Sequence, residues 1–170
     1  MRAKLARRLK DRRGFTLIEL MMVVAMIIIL ATVLIPRVVT AKKDVKYAGV
    51  LQNLNALQGL TEARINSYYS KPDKLAPAIE KIVDADESIL NPYTNKTGMV
   101  KDETGTQQGA IFYTDPATSL PPTLPSGDEY KGAVYMFVVK DSDDKIVSVY
   151  FYPYDSEGSP RDDERREIKP

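Results

Sequence analysis

A chain of 170 residues has room for one modest folded domain plus attachments. It holds no Cys and no His; this removes the usual ligands of zinc and haem and the thiol nucleophile, and leaves an exported domain to stand without disulfides. The net charge of +1 conceals an asymmetry: residues 1–14 carry seven Lys or Arg against one Asp, a net of +6, so the remaining 17 basic and 22 acidic residues come to −5.

Taken in chain order, the first element is a basic leader, 1–14, followed by an apolar run from Phe15 to Ile35 that ends at Pro36. At 1.5 Å per helical residue the run spans about 31 Å, enough to cross a hydrocarbon core. Basic residues before an apolar run are the positive-inside pattern of a membrane-directed segment, not a nucleic-acid-binding tract. Val39-Thr40-Ala41 has the small residues of a signal-peptidase site, but the run is longer than a secretory signal's apolar region. Glu19 is the anomaly. An ionised carboxylate in lipid costs several kcal/mol unless it finds a partner, and no Lys or Arg follows until Arg37. Glu19 has two routes: it snorkels to the headgroups, or it meets a cation from another chain. A cut before Phe15 would supply that cation as a new α-amino group.

Arg12-Arg13-Gly14-Phe15-Thr16-Leu17-Ile18-Glu19 and the apolar run to Pro36 resemble the class III leader junction of type IV prepilins and the related type II secretion pseudopilins. The resemblance implies cleavage between Gly14 and Phe15 by a prepilin peptidase and N-methylation of Phe15. Glu19, the fifth residue of the mature chain, then takes the assembly role. Pro36 falls where the family often has a helix-distorting proline. An assembly ATPase and a platform membrane protein are the further partners that the family implies.

The pattern beyond Pro36 remains helical. Val38, Ala41, Val45, Ala48, Leu51 and Leu54 recur at three- and four-residue steps, and Leu57, Ile65 and Tyr68 extend the stripe. One helix is therefore expected from Phe15 to Tyr69, about 80 Å if unbroken, with its amphipathic half over 37–70. Pro72 to Val83 predicts a short helix with Asp73 as its cap and Pro77 confined to its first turn. Asn91 to Gly98 is turn chemistry, as is Gly105 to Gly109, which lacks the Lys of a phosphate loop. Ala110 to Tyr113 reads as a strand, and the proline-rich 120–127 as a loop. Ala133 to Lys140 and Lys145 to Tyr152 flank Asp141-Ser142-Asp143-Asp144 as a hairpin. The tail from Asp155 is charged and expected to be mobile.

The expected fold is α+β and pilin-like: a long N-terminal helix, half membrane and half amphipathic, packed against a small antiparallel sheet in a head of residues 71–170. Asp141, Asp143 and Asp144 are weak calcium candidates beside the simpler reading of a solvated turn. Asp155 and Glu157 do not match the calcium loop of the major pseudopilin. Tyr150 to Tyr154 reads as half-buried strand rather than a nucleic-acid platform, because the acidic head repels phosphate. No nucleophile–base set is present, and no cofactor is expected.

The function this points to is structural, not enzymatic. The chain is expected to be the prepilin subunit of a type IV pilus-like filament, serving adhesion or a related task, held in the inner membrane lipid before assembly with its head extracytoplasmic. In the filament its partner is itself, in a helical homopolymer. Two alternatives stand beside it. One is the major pseudopilin of a type II secretion system, favoured by the missing disulfide and disfavoured by the 156 residues after Gly14 and the lack of a calcium pattern. The other is a monomeric membrane-anchored binding protein, which would keep its leader.

Overall fold

The computed structural model describes residues 14–103, 108–121 and 123–170, without the side chain of Pro36. The basic leader and the turn over Gly105 to Gln107 lie outside the described residues. The element order is α1 (Leu17–Glu62), α2 (Pro72–Val83), β1 (Met99–Lys101), β2 (Ile111–Tyr113), β3 (Val134–Lys140), β4 (Ile146–Pro153) and β5 (Arg166–Ile168), with short 3₁₀ turns at Ile65–Tyr68, Asp128–Tyr130 and Asp162–Glu164. The chain divides into two units, Met1–Ala41 and Lys42–Pro170. The first is the apolar part of α1; the second holds the rest of α1 and the head.

In the second unit α1 buries Val50, Leu54, Leu57 and Thr61 completely, a run of four-, three- and four-residue steps. Leu54 and Leu57 belong to the expected stripe, and Leu51 packs against the core, but the earlier members do not: Val45 is 73% exposed and Ala48 is also exposed. Apolar packing on the core begins at Tyr47. Asn53, expected among the polar positions, is buried and donates to the Leu90 carbonyl. The helix ends at Glu62 rather than Tyr69. The chain tightens into a 3₁₀ turn that buries Ile65, and the Tyr69 carbonyl accepts from the Ile146 amide, so this last turn is drawn onto the sheet.

Helix α2 has the expected bounds, with two corrections. Asp73 sits in its first turn, with Lys71 at the N-cap and no side-chain capping bond, so it complements the dipole instead. Pro77 lies inside the helix, beyond the first turn. Burial of Leu75, Ala76, Ile79 and Val83 offsets the backbone bond that Pro77 cannot make.

The sheet has the order β1-β2-β3-β4-β5. The expected hairpin is its centre, with β3 and β4 antiparallel in the register Met136↔Phe151. The sheet is mixed, not wholly antiparallel: β1 and β2 add in parallel to β3, and β5 adds antiparallel to β4. Strand β5 corrects the expectation of a mobile tail. Ile168 is buried in the main core beside Val149, Tyr150 donates to Glu167 at 3.0 Å, and the Arg161 amide donates to the Pro153 carbonyl, so several contacts order the segment.

Alternation along β3 divides the core. Val134, Met136 and Val138 join α1 and α2, with Ile111, Val149 and Phe151. Tyr135 and Phe137 face the other way, into a cluster with Phe112, Tyr130, Tyr152 and Tyr154 that Leu120 and Leu124 of the proline-rich loop partly cover. Neighbouring rings stand 4.5–6.2 Å apart. Asp102 accepts from the hydroxyls of both Tyr130 and Tyr135; this satisfies two polar groups that burial would otherwise penalise.

Asn91, fully buried, fastens the segment after α2. Its Nδ2 donates to the carbonyls of Gly109 (3.2 Å) and Lys131 (2.8 Å), and its Oδ1 accepts from the amides of Tyr93 (2.9 Å) and Thr94 (3.1 Å). Nearby, Gly49 gives Pro92 room against α1: a Cβ there would sit 3.3 Å from the proline ring. Replacing Asn91 by Ala should cost about 3 kcal/mol, since buried partners are left unsatisfied. Urea titration followed by tyrosine near-UV signal measures it.

The tyrosines predict an alkaline limit. Burial first, then the hydrogen bond to Glu80, pushes Tyr113 up to about 12, and burial also raises Tyr130, Tyr135 and Tyr154. An unfolded tyrosine titrates near 10, so the native state holds these protons more tightly. Their contribution is intact below about pH 10 and is lost as pH rises towards 12. The thermal midpoint of the head should fall across that window.

Candidate functional site

Gly14 and Phe15 precede α1 outside regular structure, and Phe15 is 88% exposed. The peptide bond between them is therefore accessible. Thr16 is the N-cap residue. Its carbonyl accepts the first intrahelical bond, from the Leu20 amide. Its hydroxyl accepts from the Glu19 amide at 3.2 Å and donates to Glu19 Oε2 at 2.8 Å, while its own amide donates to the same Oε2 at 2.8 Å. This reciprocal arrangement is a capping box.

The box changes the reading of Glu19. Among the described residues the carboxylate is neither bare nor ion-paired: it satisfies an orphan amide and sits at the positive end of the helix dipole. Both bonds converge on Oε2, and Oε1 has no partner among the described residues. The signal was in the sequence. Thr16-Leu17-Ile18-Glu19 ahead of an apolar run has the capping-box spacing, so Thr16 belongs to the site although attention to the lone charge passes over it.

From Leu17 to Ile35 the large side chains are exposed, from 47% at Val24 to 77% at Leu17. Helix α1 is long and apolar enough to cross a membrane; its 18-residue window has a mean hydropathy of 2.9 and no buried residue. It continues helically through Pro36.

The acidic hairpin turn does other work. Asp141 Oδ1 accepts from the amides of Asp143 and Lys145, Asp144 pairs with Lys140 at 2.6 Å, and Asp143 lies 3.8 Å from Lys145. Asp155 likewise caps its own loop through the amides of Glu157 and Ser159. Among the described residues no cluster of three or more acidic side chains is arranged to hold a metal. Phe151, Tyr152 and Tyr154 are buried, so these rings offer no stacking surface.

Residues 9–35 match the family model of the prokaryotic N-terminal methylation motif. A protein of Thermus thermophilus, described as a type IV wide pilus major component (PilA4), is 33% identical over 110 residues, covering 62% of this chain and 82% of that protein. No solved structure shows significant similarity to the chain.

Thr16→Val keeps the side chain's shape and removes both hydroxyl bonds. The first turn of α1 should lose about 1 kcal/mol, seen as roughly fivefold faster amide exchange at Glu19 and Leu20 in detergent micelles. Thr16→Ser should exchange as the wild type does.

Proposed function

The chain belongs to the type IV pilin family, and we propose that it is the precursor of a structural subunit that polymerises into an extracytoplasmic pilus. A prepilin peptidase cuts between Gly14 and Phe15 and methylates the new amine of Phe15. The apolar half of α1 waits in the inner membrane with the head outside. A membrane platform and an assembly ATPase then draw subunits out, and the apolar helices pack against copies of themselves.

The observation that carries this reading is the start of α1: an accessible Gly14–Phe15 bond, a capped Glu19, and a long apolar helix with no cover of its own. The capped carboxylate keeps Oε1 available for the terminal ammonium of a neighbouring subunit. In an apolar bundle the two charges neutralise each other, and either one alone would cost several kcal/mol. A contact between two different surfaces repeats without closing, which gives a fibre. Pro36 leaves one carbonyl of α1 without its bond, and this gives the helix a place to yield as the bundle forms. The relative's description as a wide pilus component supports a pilus over a secretion pseudopilus.

Intact mass of the protein from its native host should show a chain beginning at methylated Phe15. Glu19→Ala should abolish filaments while the tyrosine signal of the head is unchanged; filaments of normal length would refute the charge pair. A monomer that retains the leader would instead fit a simple membrane anchor.

A further inference from the structure

Past its apolar half, α1 carries Lys42, Lys43 and Lys46 within little more than one turn, all exposed. None of the three forms an ion pair among the described residues; Lys46 lies over the ring of Tyr93, 5.2 Å from its centroid, which leaves its charge unneutralised. In the head Lys101, Lys131, Lys140, Lys145 and Lys169 each have a carboxylate within 4 Å, whereas Lys71, Lys74, Lys81 and Lys96, like the band, have none among the described residues. What sets the band apart is its net charge. Residues 37–46 hold four basic residues and one acidic, a net of +3, whereas residues 47–170 hold 13 basic and 20 acidic, a net of −7.

The basic band starts seven residues beyond Ile35 in the sequence. That is headgroup level for a segment whose apolar run fills the hydrocarbon core, and lysine stems reach back towards phosphate. A basic flank on the outer side opposes the positive-inside bias, which the +6 leader outweighs. Once the leader is removed, the inner flank keeps only the new amine and Glu19. The band is then the largest charge beside the membrane, under a head that an anionic surface repels.

We infer that Lys42, Lys43 and Lys46 bind the phosphates of anionic lipids in the outer leaflet, seating the processed subunit until it is withdrawn. The inference rests on the membrane-resident stage proposed above. Lipid is favoured over the acidic head of a second copy because the band adjoins the apolar run.

The test uses the processed full-length protein in nanodiscs of phosphatidylcholine and phosphatidylglycerol, with co-retained lipids counted by native mass spectrometry. Phosphatidylglycerol should be enriched, by roughly fivefold for each lysine that contributes. The enrichment should vanish in the Lys42→Gln, Lys43→Gln, Lys46→Gln triple variant and in high salt, and survive Lys96→Gln on the head. Equal retention of both lipids by the wild type, or unchanged enrichment in the triple variant, would overturn the inference. So would a triple variant that polymerises poorly when the wild type shows no lipid preference; that result assigns the band to a neighbour's head. Failure to enter the bilayer at all would instead sink the membrane-resident stage.

Discussion

The rest of the molecule follows from the first half of α1 having no cover among the described residues. Sixteen large apolar side chains between Phe15 and Ile35 are half exposed or more, apart from Val24 at 47%. At about 1.5–3 kcal/mol for each side chain left in water, the deficit is on the order of 20–50 kcal/mol. A domain is stable by only about 5–15 kcal/mol. No adjustment of the head can offset that difference, so the segment needs apolar surroundings such as lipid or packed helices. Leader, helix and capped acid are consistent with a chain that exchanges one of these environments for the other.

Within that setting Glu19 is compatible with both states because its charge is only partly used. A bare carboxylate would resist lipid, and a carboxylate consumed by a cation in its own chain would have nothing to offer a neighbour. The capping box lies between these. Thr16 holds Oε2 at the helix start, where an orphan amide and the dipole favour negative charge, and Oε1 is left open among the described residues. A cap of this kind is worth about 1 kcal/mol, small beside the several kcal/mol that an unpaired charge costs in an apolar bundle. On the reading proposed above, the box would therefore orient the acid without competing strongly against a neighbour's amine.

Much of this was legible because long or strongly patterned segments report themselves. The apolar run, α2, the β3–β4 hairpin and the Gly14–Glu19 junction each combine several independent signals. What was missed is short or set by distant contacts. Strands β1 and β5 have three residues each, too few for alternation to appear. The burial of Ile168 depends on Val149, nineteen positions away and invisible to a local reading. The expected stripe on α1 holds from Leu51 to Ile65 but starts too early, because Val45 and Ala48 continue an apolar period that is left exposed. Asn91 reads as ordinary turn chemistry, yet its four bonds reach Gly109 and Lys131 as well as its own turn.

The absence of cysteine then finds a structural answer at the C-terminal end. A disulfide would constrain the unfolded chain; here the fastening consists of native contacts. Gly127 donates to the Gly158 carbonyl at 3.1 Å, and a Cβ on Gly158 would fall 1.8 Å from the Gly127 oxygen, so the two loops touch backbone to backbone. Tyr154 donates to the Pro125 carbonyl across the same junction. Arg161 lies over the ring of Tyr47 on α1, whose hydroxyl is enclosed beside Glu164 without a well-aligned hydrogen bond. Strand β5 closes the sheet beyond it. Each contact is modest, and their sum depends on close approach at two glycines rather than on redox state. Such a head keeps its tail in reducing and oxidising surroundings alike, and its weak point is any side chain added at Gly158.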